Sequence, residues 1–280
     1  DVLGVCGGGC EGDGDDDGIC DSEDDCVGVY DECGVCNGPG PTEVVIESIT
    51  ILYDSVYAEQ IDEWWVFELG ADTVFNYTCA PYFGDCGDLV SHDGYDYSTV
   101  LIGEQCWFSE NCRYLPEVSP SSEGSESDPY YYVYDYQGSD VTAAQATDNY
   151  ETYGVLYNWP AVMTEDICPS GWHIPSDEEF TELTDFLGGE GVAGGNMKEA
   201  GYDHWNSPNT GATNSSGWTG LPGGVRDSGG FNGDASYGYW WSASESGSYS
   251  WDRGLDDDYD DVLRGNVNRF HGFSARCVRD

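Results

Sequence analysis

Alternating hydrophobic and polar positions mark two early segments of the chain. Residues 44–53 (VVIESITILY) and 64–77 (WWVFELGADTVFNY) are rich in β-branched and aromatic residues, which predicts β-strands. In the first segment the alternation is imperfect, which indicates burial on both faces. These segments predict a small β unit or hairpin, or a strand that is lent to a neighbouring subunit by addition to its sheet.

A helical period occurs only later in the chain. Ser176 and Glu179 form the S-x-x-E pattern of a capping box, and Phe180, Leu183 and Leu187 follow at i, i+3 and i+7 spacing. Two glycines come next, and glycine commonly ends a helix. We therefore predict a helix from Ser176 to Leu187.

The rest of the C-terminal part predicts short strands between Gly, Asn, Asp and Ser turns, with Trp and Tyr in the core. One other short helix is predicted around Val141 to Asp148. The pattern as a whole predicts an α+β domain over residues 95–280. A β-rich connecting or assembly segment is expected at 42–94, after an irregular N-terminal repeat at 1–41.

Charge restricts the partners of this chain. It carries 54 acidic against 8 basic residues, a formal charge of −46, and its first basic residue is Arg113. Nucleic acid is excluded as a partner, because phosphate binding needs clustered Lys and Arg. No apolar run approaches the roughly 18 residues that span a bilayer, so we expect no membrane insertion. Such a charge opposes compaction unless cations screen it, which favours a saline, calcium-rich environment outside the cell.

An aspartate ladder near the N-terminus predicts calcium as a cofactor. Carboxylates fall at positions 1, 3, 5, 9 and 12 of a calcium loop, with Gly18 at the sharp turn and a backbone carbonyl at position 7. The predicted ligands are Asp13, Asp15, Asp17, Ile19, Asp21 and Asp24. Calcium takes six to eight oxygen ligands in flexible geometry, and this spacing suits it.

Cysteines surround this ladder. Six of the 12 cysteines lie within residues 6–36, where almost no apolar side chains could form a core. Disulfides and metal must replace a core there, which indicates an oxidised, secreted protein. The pattern DVLGVCGG at residue 1 recurs as DECGVCNG at residue 31, so we expect the end of a longer repeat array. Residues 1–41 resemble thrombospondin type 3 repeats, which wrap around calcium ions.

The C-terminal part carries several landmarks in order. They are TVLIGEQCW at 99–107, YGVLYNW at 153–159, CPSGWHIPSDEEF at 168–180, GYWWS at 238–242 and GFSARCVR at 272–279. This region resembles the Fibrobacter succinogenes major paralogous domain, which occurs in secreted proteins of Bacteroidota. That family is largely uncharacterised, so the resemblance implies little about activity.

More distantly, the same region is similar to formylglycine-generating enzymes and C-type lectin-like domains. The resemblance implies a C-type-lectin-like or formylglycine-generating-enzyme-like fold whose closing strand returns beside its start, and a disulfide between Cys168 and Cys277. Local pairs are also expected between Cys79 and Cys86 and between Cys106 and Cys112. The reactive cysteine pair of the enzymes and the Pro-containing calcium triplets of the lectins are missing from this sequence. We therefore expect no enzyme.

Several single sites complete the predictions. Ser55 and Thr73 resemble O-glycosylation signals of Bacteroidota, and Asn76 and Asn214 lie in N-x-S/T sequons. The acidic run Asp256 to Asp261 is either a second calcium site or an exposed acidic loop. His173 is expected to be buried and hydrogen-bonded.

Together these features predict a secreted, calcium-binding structural or interaction protein. It would be a cell-surface adhesin or a subunit of a bacterial surface appendage or extracellular filament, and it would self-associate into a homo-oligomer or filament. The alternative is a carbohydrate-binding, lectin-like module of a surface protein, with glycans as its partners.

Overall fold

The computed structural model describes residues 57–61, 64–68, 86–164 and 166–279. The chain divides into two units, Asp1–Phe83 and Gly84–Asp280. In the first unit, β1 (Tyr57–Ile61) and β2 (Trp64–Glu68) form an antiparallel hairpin. Strand β2 lies within the predicted strand at 64–77, whereas the predicted strand at 44–53 lies outside the described residues.

The second unit begins with strands and then alternates between helices and strands. Its first half contains β3 (Val90–His92), β4 (Tyr95–Tyr97), β5 (Thr99–Ile102), β6 (Gln105–Phe108), β7 (Tyr131–Tyr132), α1 (Val141–Gln145), α2 (Asp148–Tyr153), β8 (Leu156–Tyr157) and α3 (Trp159–Val162). Its second half contains α4 (Asp177–Phe186), α5 (Glu190–Met197), β9 (Gly223–Asp227), β10 (Gly230–Asp234), β11 (Tyr237–Ser246), β12 (Tyr249–Asp256), β13 (Leu263–Asn268) and β14 (Val278–Arg279).

The largest sheet has five strands in the order β10-β9-β11-β12-β13. The contact between β9 and β11 is parallel and the other pairings are antiparallel. A second sheet has the order β14-β6-β5, and in it Val278 pairs with Trp107. The last strand of the chain therefore closes beside the start of the domain, as expected.

Helix α4 confirms the predicted capping box. The Ser176 hydroxyl accepts from the backbone N–H of Glu179, and the Glu179 carboxylate accepts from the backbone N–H of Ser176. These two bonds satisfy donors that a helix N-terminus otherwise leaves unpaired. Phe180 and Leu183 on this helix are fully buried.

Helix α5 was not predicted, because its glycines suggest a loop. A Cβ at Gly194 would clash with the Asp261 carbonyl oxygen, and one at Gly195 would lie 2.5 Å from the Gly211 carbonyl oxygen. Both glycines are required because loop backbone packs directly onto the helix. In the predicted region 141–148, the structure has helix α1 and the start of α2, separated by the cap residues Ala146 and Thr147.

The described second unit is β-rich with short helices, which agrees with the coarse α+β expectation. Two aromatic-rich clusters form its core, one around Trp107, Trp218 and Trp240 and the other around Trp241 and Phe273. Within the described residues, no helix has the length and apolar character that crossing a membrane requires.

Candidate functional site

The disulfides of the second unit differ in part from those expected. Cys168 and Cys277 form the bridge that the resemblance implies, with Cα atoms 5.8 Å apart. Cys86 is bonded to Cys106, so the expected pairs of Cys79 with Cys86 and of Cys106 with Cys112 are wrong. The reason is that the backbone N–H of Cys112 bonds to the Ala275 carbonyl, which places this residue beside the C-terminal segment. Cys112 remains a buried free thiol.

A cleft opens beside the Cys168–Cys277 bridge and has a volume of about 310 Å³. Its walls are mainly apolar and consist of Val162, Met163, Thr164, Cys168, Trp172, His173, Ile174 and Ala243. The buried indole Nε1 of Trp172 has no hydrogen-bond partner among the described residues. A cleft of this size with mainly apolar walls suits a small ligand that has an apolar face.

His173 lies at the rim of this cleft. The expectation that it is buried is wrong. Its side chain is 45% exposed, and its Nε2 lies 2.6 Å from Glu179 Oε1. Burial alone would raise the pKa of Glu179, but the hydrogen bonds from His173 and Ser176 outweigh it and lower that pKa to about 2. The capping box of α4 therefore fixes this imidazole through an ionised carboxylate.

A second candidate site is the acidic loop that follows β12. Carboxylate oxygens of Asp256, Asp257 and Asp258 lie within 4.8 Å of one another. Burial raises the pKa of Asp257, and the two neighbouring carboxylates raise it further against the hydrogen bond from Ser236. A divalent cation would relieve this like-charge repulsion, and carboxylate oxygens are ligands that calcium prefers.

Lys198 lies beneath the same loop. Its ammonium donates to the backbone carbonyls of Thr210, Asp256 and Tyr259 at 2.9, 2.7 and 2.6 Å. The side chain is fully buried, and burial lowers its pKa against the pull of the surrounding aspartates. The loop backbone at Asp256 and Tyr259 is thus bonded to a buried cation.

The eight basic residues share one environment that the sequence did not reveal. Five of them are buried: Arg113, Lys198, Arg226, Arg253 and Arg276. Each of the eight also lies over an aromatic ring, at 3.7 to 5.5 Å from the ring centroid. The pairs are Arg113–Tyr95, Lys198–Trp205, Arg226–Tyr132, Arg253–Phe180, Arg264–Trp251, Arg269–Trp159, Arg276–Trp218 and Arg279–Trp172. Most cations of this chain are thus buried against aromatic rings in the second unit, and few remain exposed beside the carboxylates.

Sequence reasoning also missed a buried carboxylate on β12. Asp252 is 3% exposed, and its Oδ1 has no hydrogen-bond partner among the described residues. It lies over Gly265 of the neighbouring strand, where a Cβ would come within 3.0 Å of Oδ1. Burial raises the pKa of this carboxyl to about 7.

Of the predicted modification sites, Asn214 is described. Its amide nitrogen donates to Thr219 Oγ1 and its amide oxygen accepts from the Thr219 backbone N–H, so both ends of the amide are held in one turn. A glycan on this nitrogen would have to replace the first of these bonds. The calcium ladder at Asp13 to Asp24 lies outside the described residues, as do Ser55, Thr73, Asn76 and Cys79.

Comparison with known proteins agrees with these landmarks. A family model described as the Fibrobacter succinogenes major domain matches residues 100–279. No curated protein and no solved structure matches the chain. The matched region contains the closing strand, the Cys168–Cys277 bridge, helix α4 and the cleft. Since it covers more than half of the chain, the chain belongs to the Fibrobacter succinogenes major domain family.

Proposed function

We propose that this chain is a secreted, non-catalytic structural protein that self-associates in a calcium-dependent way, as a subunit of a surface appendage or filament or as an adhesin. The observation that carries the proposal is the distribution of charge. Five of the eight basic residues are buried, while the chain has 54 acidic residues. Two copies therefore meet as polyanions, and their repulsion must be removed before their surfaces can join.

Calcium is the cation that fits this requirement. The loop from Asp13 to Asp24 offers five carboxylates and one carbonyl in the order of a calcium loop. The cluster at Asp256, Asp257 and Asp258 offers further carboxylate oxygens in the second unit, of which those of Asp258 are exposed. Ions at such positions would stiffen the N-terminal repeat and lower the charge of the approaching surfaces.

Sedimentation velocity of the full chain tests this proposal. In 2 mM calcium we expect species larger than a monomer, and a chelator should return them to the monomer, whereas magnesium at the same concentration should not replace calcium. The triple variant D13N/D15N/D17N should lose the response. The matched variant D256N/D257N/D258N, which removes the same charge, shows whether the second cluster contributes. A wild-type monomer in both buffers would contradict the proposal.

A second candidate function is carbohydrate binding by a lectin-like module at the cleft. The cleft combines apolar walls with a half-exposed imidazole at His173. The C–H face of a sugar packs on apolar walls, and its hydroxyls accept and donate hydrogen bonds. Glycan-array binding that is weakened by His173→Ala, which removes the exposed ring from the rim, would favour this candidate. Binding that His173→Ala leaves unchanged would count against this cleft as the glycan site.

A further inference from the structure

Three cysteine sulfurs meet at one point in the core. Cys277 is bonded to Cys168, and its Sγ lies 3.5 Å from the free Sγ of Cys112. Cys112 and Cys277 are fully buried, whereas Cys168 retains 9% exposure and lines the cleft. A thiol is therefore in contact with one end of a disulfide whose other end faces a cavity.

We propose that Cys112, Cys277 and Cys168 form a three-cysteine relay, in which thiol–disulfide exchange moves the free thiol from the core to the wall of the cleft. The Cys112 thiolate attacks Cys277 Sγ and forms a new Cys112–Cys277 bond. The Cys168–Cys277 bond breaks, and Cys168 leaves with the electron pair as a thiolate. The number of thiols and disulfides is unchanged, so the step needs neither an oxidant nor a reductant.

The exchange makes Cys168 a covalent attachment site for a partner that carries a disulfide. The Cys168 thiolate would attack one sulfur of that disulfide and form a mixed disulfide, and the partner's other sulfur would leave as a thiolate. The mainly apolar walls, including Val162, Met163 and Ile174, favour a partner with apolar groups next to its disulfide.

Backbone contacts favour release at Cys168. Cys112 is fixed through its N–H to the Ala275 carbonyl, and Cys277 directly precedes β14, which is paired with β6. Cys168 belongs to the loop between α3 and α4, outside any helix or strand. The two sulfurs that join are thus held together by the core, and the one that leaves belongs to a loop that lines the cleft.

The groups around Cys112 keep this relay slow at neutral pH. Burial raises the pKa of the Cys112 thiol to about 12, although the buried guanidinium of Arg276 acts in the opposite direction. Glu110 also opposes the thiolate, and Tyr97 and Tyr157 lie close enough to be affected by its charge. The thiolate is the attacking species. As long as the pH is below that pKa, the rate of exchange should therefore increase about tenfold for each unit by which the pH is raised.

Alkylation of the native full chain with iodoacetamide, followed by peptide mapping without reduction, tests the relay. Between pH 7 and 9 we expect label on Cys168 together with a peptide that links Cys112 to Cys277. The rate of labelling at Cys168 should rise about tenfold per pH unit. An aromatic disulfide reagent should form its mixed disulfide at the same residue.

The variant Cys112→Ala is the control, and labelling of its Cys168 should fall at least about tenfold, because the attacking thiolate is absent. Equal labelling of Cys168 in this variant would overturn the proposal. Should the variant fail to fold, the wild-type map decides alone. Label on Cys112 with the Cys168–Cys277 bridge intact would show simple opening of the core and overturn the relay, and so would the absence of label at pH 9.

Discussion

Two arginines of very different exposure bind the same carboxylate. Arg253 is 1% exposed and Arg264 is 37% exposed, and both form ion pairs with Asp177 at the start of α4. Burial alone would raise the pKa of Asp177, but the hydrogen bonds from Arg264 and Arg253 lower it. Because both arginines pair with the same carboxylate, comparing them separates the effect of burial on stability from the effect of the ion pair itself.

At this site we expect Arg253→Met to lower the free energy of unfolding by about 2 to 3 kcal/mol, because it removes a buried hydrogen bond to the charged carboxylate of Asp177. Arg264→Met should cost about 1 kcal/mol, since solvent replaces the exposed guanidinium. Urea denaturation of both variants at pH 7 measures the difference. Equal losses would show that burial does not determine the contribution.

The buried carboxyl of Asp252 predicts an unusual dependence on pH. Its folded pKa of about 7 lies above the ordinary value, so the folded protein holds this proton more tightly than the unfolded chain does. The protonated carboxyl is therefore the form that the fold tolerates. Its favourable contribution to the free energy of unfolding is fully present below about pH 4 and is lost as the pH rises through 7.

Consequently Asp252→Asn should be more stable than the wild type at pH 8, by on the order of 2 to 4 kcal/mol, and the difference should disappear near pH 4. Thermal unfolding monitored by circular dichroism at both pH values measures it. The exposed Asp258→Asn is the control and should show a far smaller difference. A variant that is less stable than the wild type at pH 8 would mean that the carboxylate has a stabilising partner.

Little of this residue-scale chemistry could be predicted from the sequence. Arg276 and its ring at Trp218 are 58 positions apart, and Asp177 is 76 positions from Arg253. Such pairs depend on the path of the whole chain and leave no local spacing. Cys112 shows the same limit, because its proximity to Cys106 in sequence suggested a pairing that the core does not allow.

At the scale of elements, helix α4 was predictable because its signals are local. The cap, the acidic first turn and the apolar stripe all lie within 12 residues of sequence. Helix α5 was not predictable from the same rules, since its glycines have low helix propensity. They are required by the tertiary fold, because the backbone of Asp261 and Gly211 leaves no room for a Cβ at these positions.

The capping box also predicts how the stability of α4 responds to acid. The folded pKa of Glu179 is about 2, below its ordinary value, so its stabilising effect is present above about pH 4.5 and is lost as the pH falls toward 2. Glu179→Gln should lower the free energy of unfolding by about 1 kcal/mol at pH 7 and by little at pH 2.

Urea titrations at the two pH values measure this, with Glu178→Gln, an exposed acid of the same helical turn, as the control. A loss that is the same at pH 2 and pH 7 would mean that the charge of Glu179 is not what stabilises the cap.

At the scale of the molecule, the sequence identified the C-terminal domain well and its sites poorly. The ordered landmarks from Val100 to Arg279 fall within the matched family region, because these motifs consist of core and turn residues that are contiguous in sequence. The cleft was not foreseen, because its walls come from α3, the loop before α4 and β11. The charge of −46 was plain from composition, whereas the burial of most basic residues required the fold.

The central claim is that calcium joins copies of this polyanionic chain. Negative-stain electron microscopy of the full chain in calcium, before and after addition of a chelator, tests it most directly. We expect filaments or regular oligomers in calcium that disperse on chelation and do not form with D13N/D15N/D17N. Isolated particles of one size in both buffers would contradict the claim.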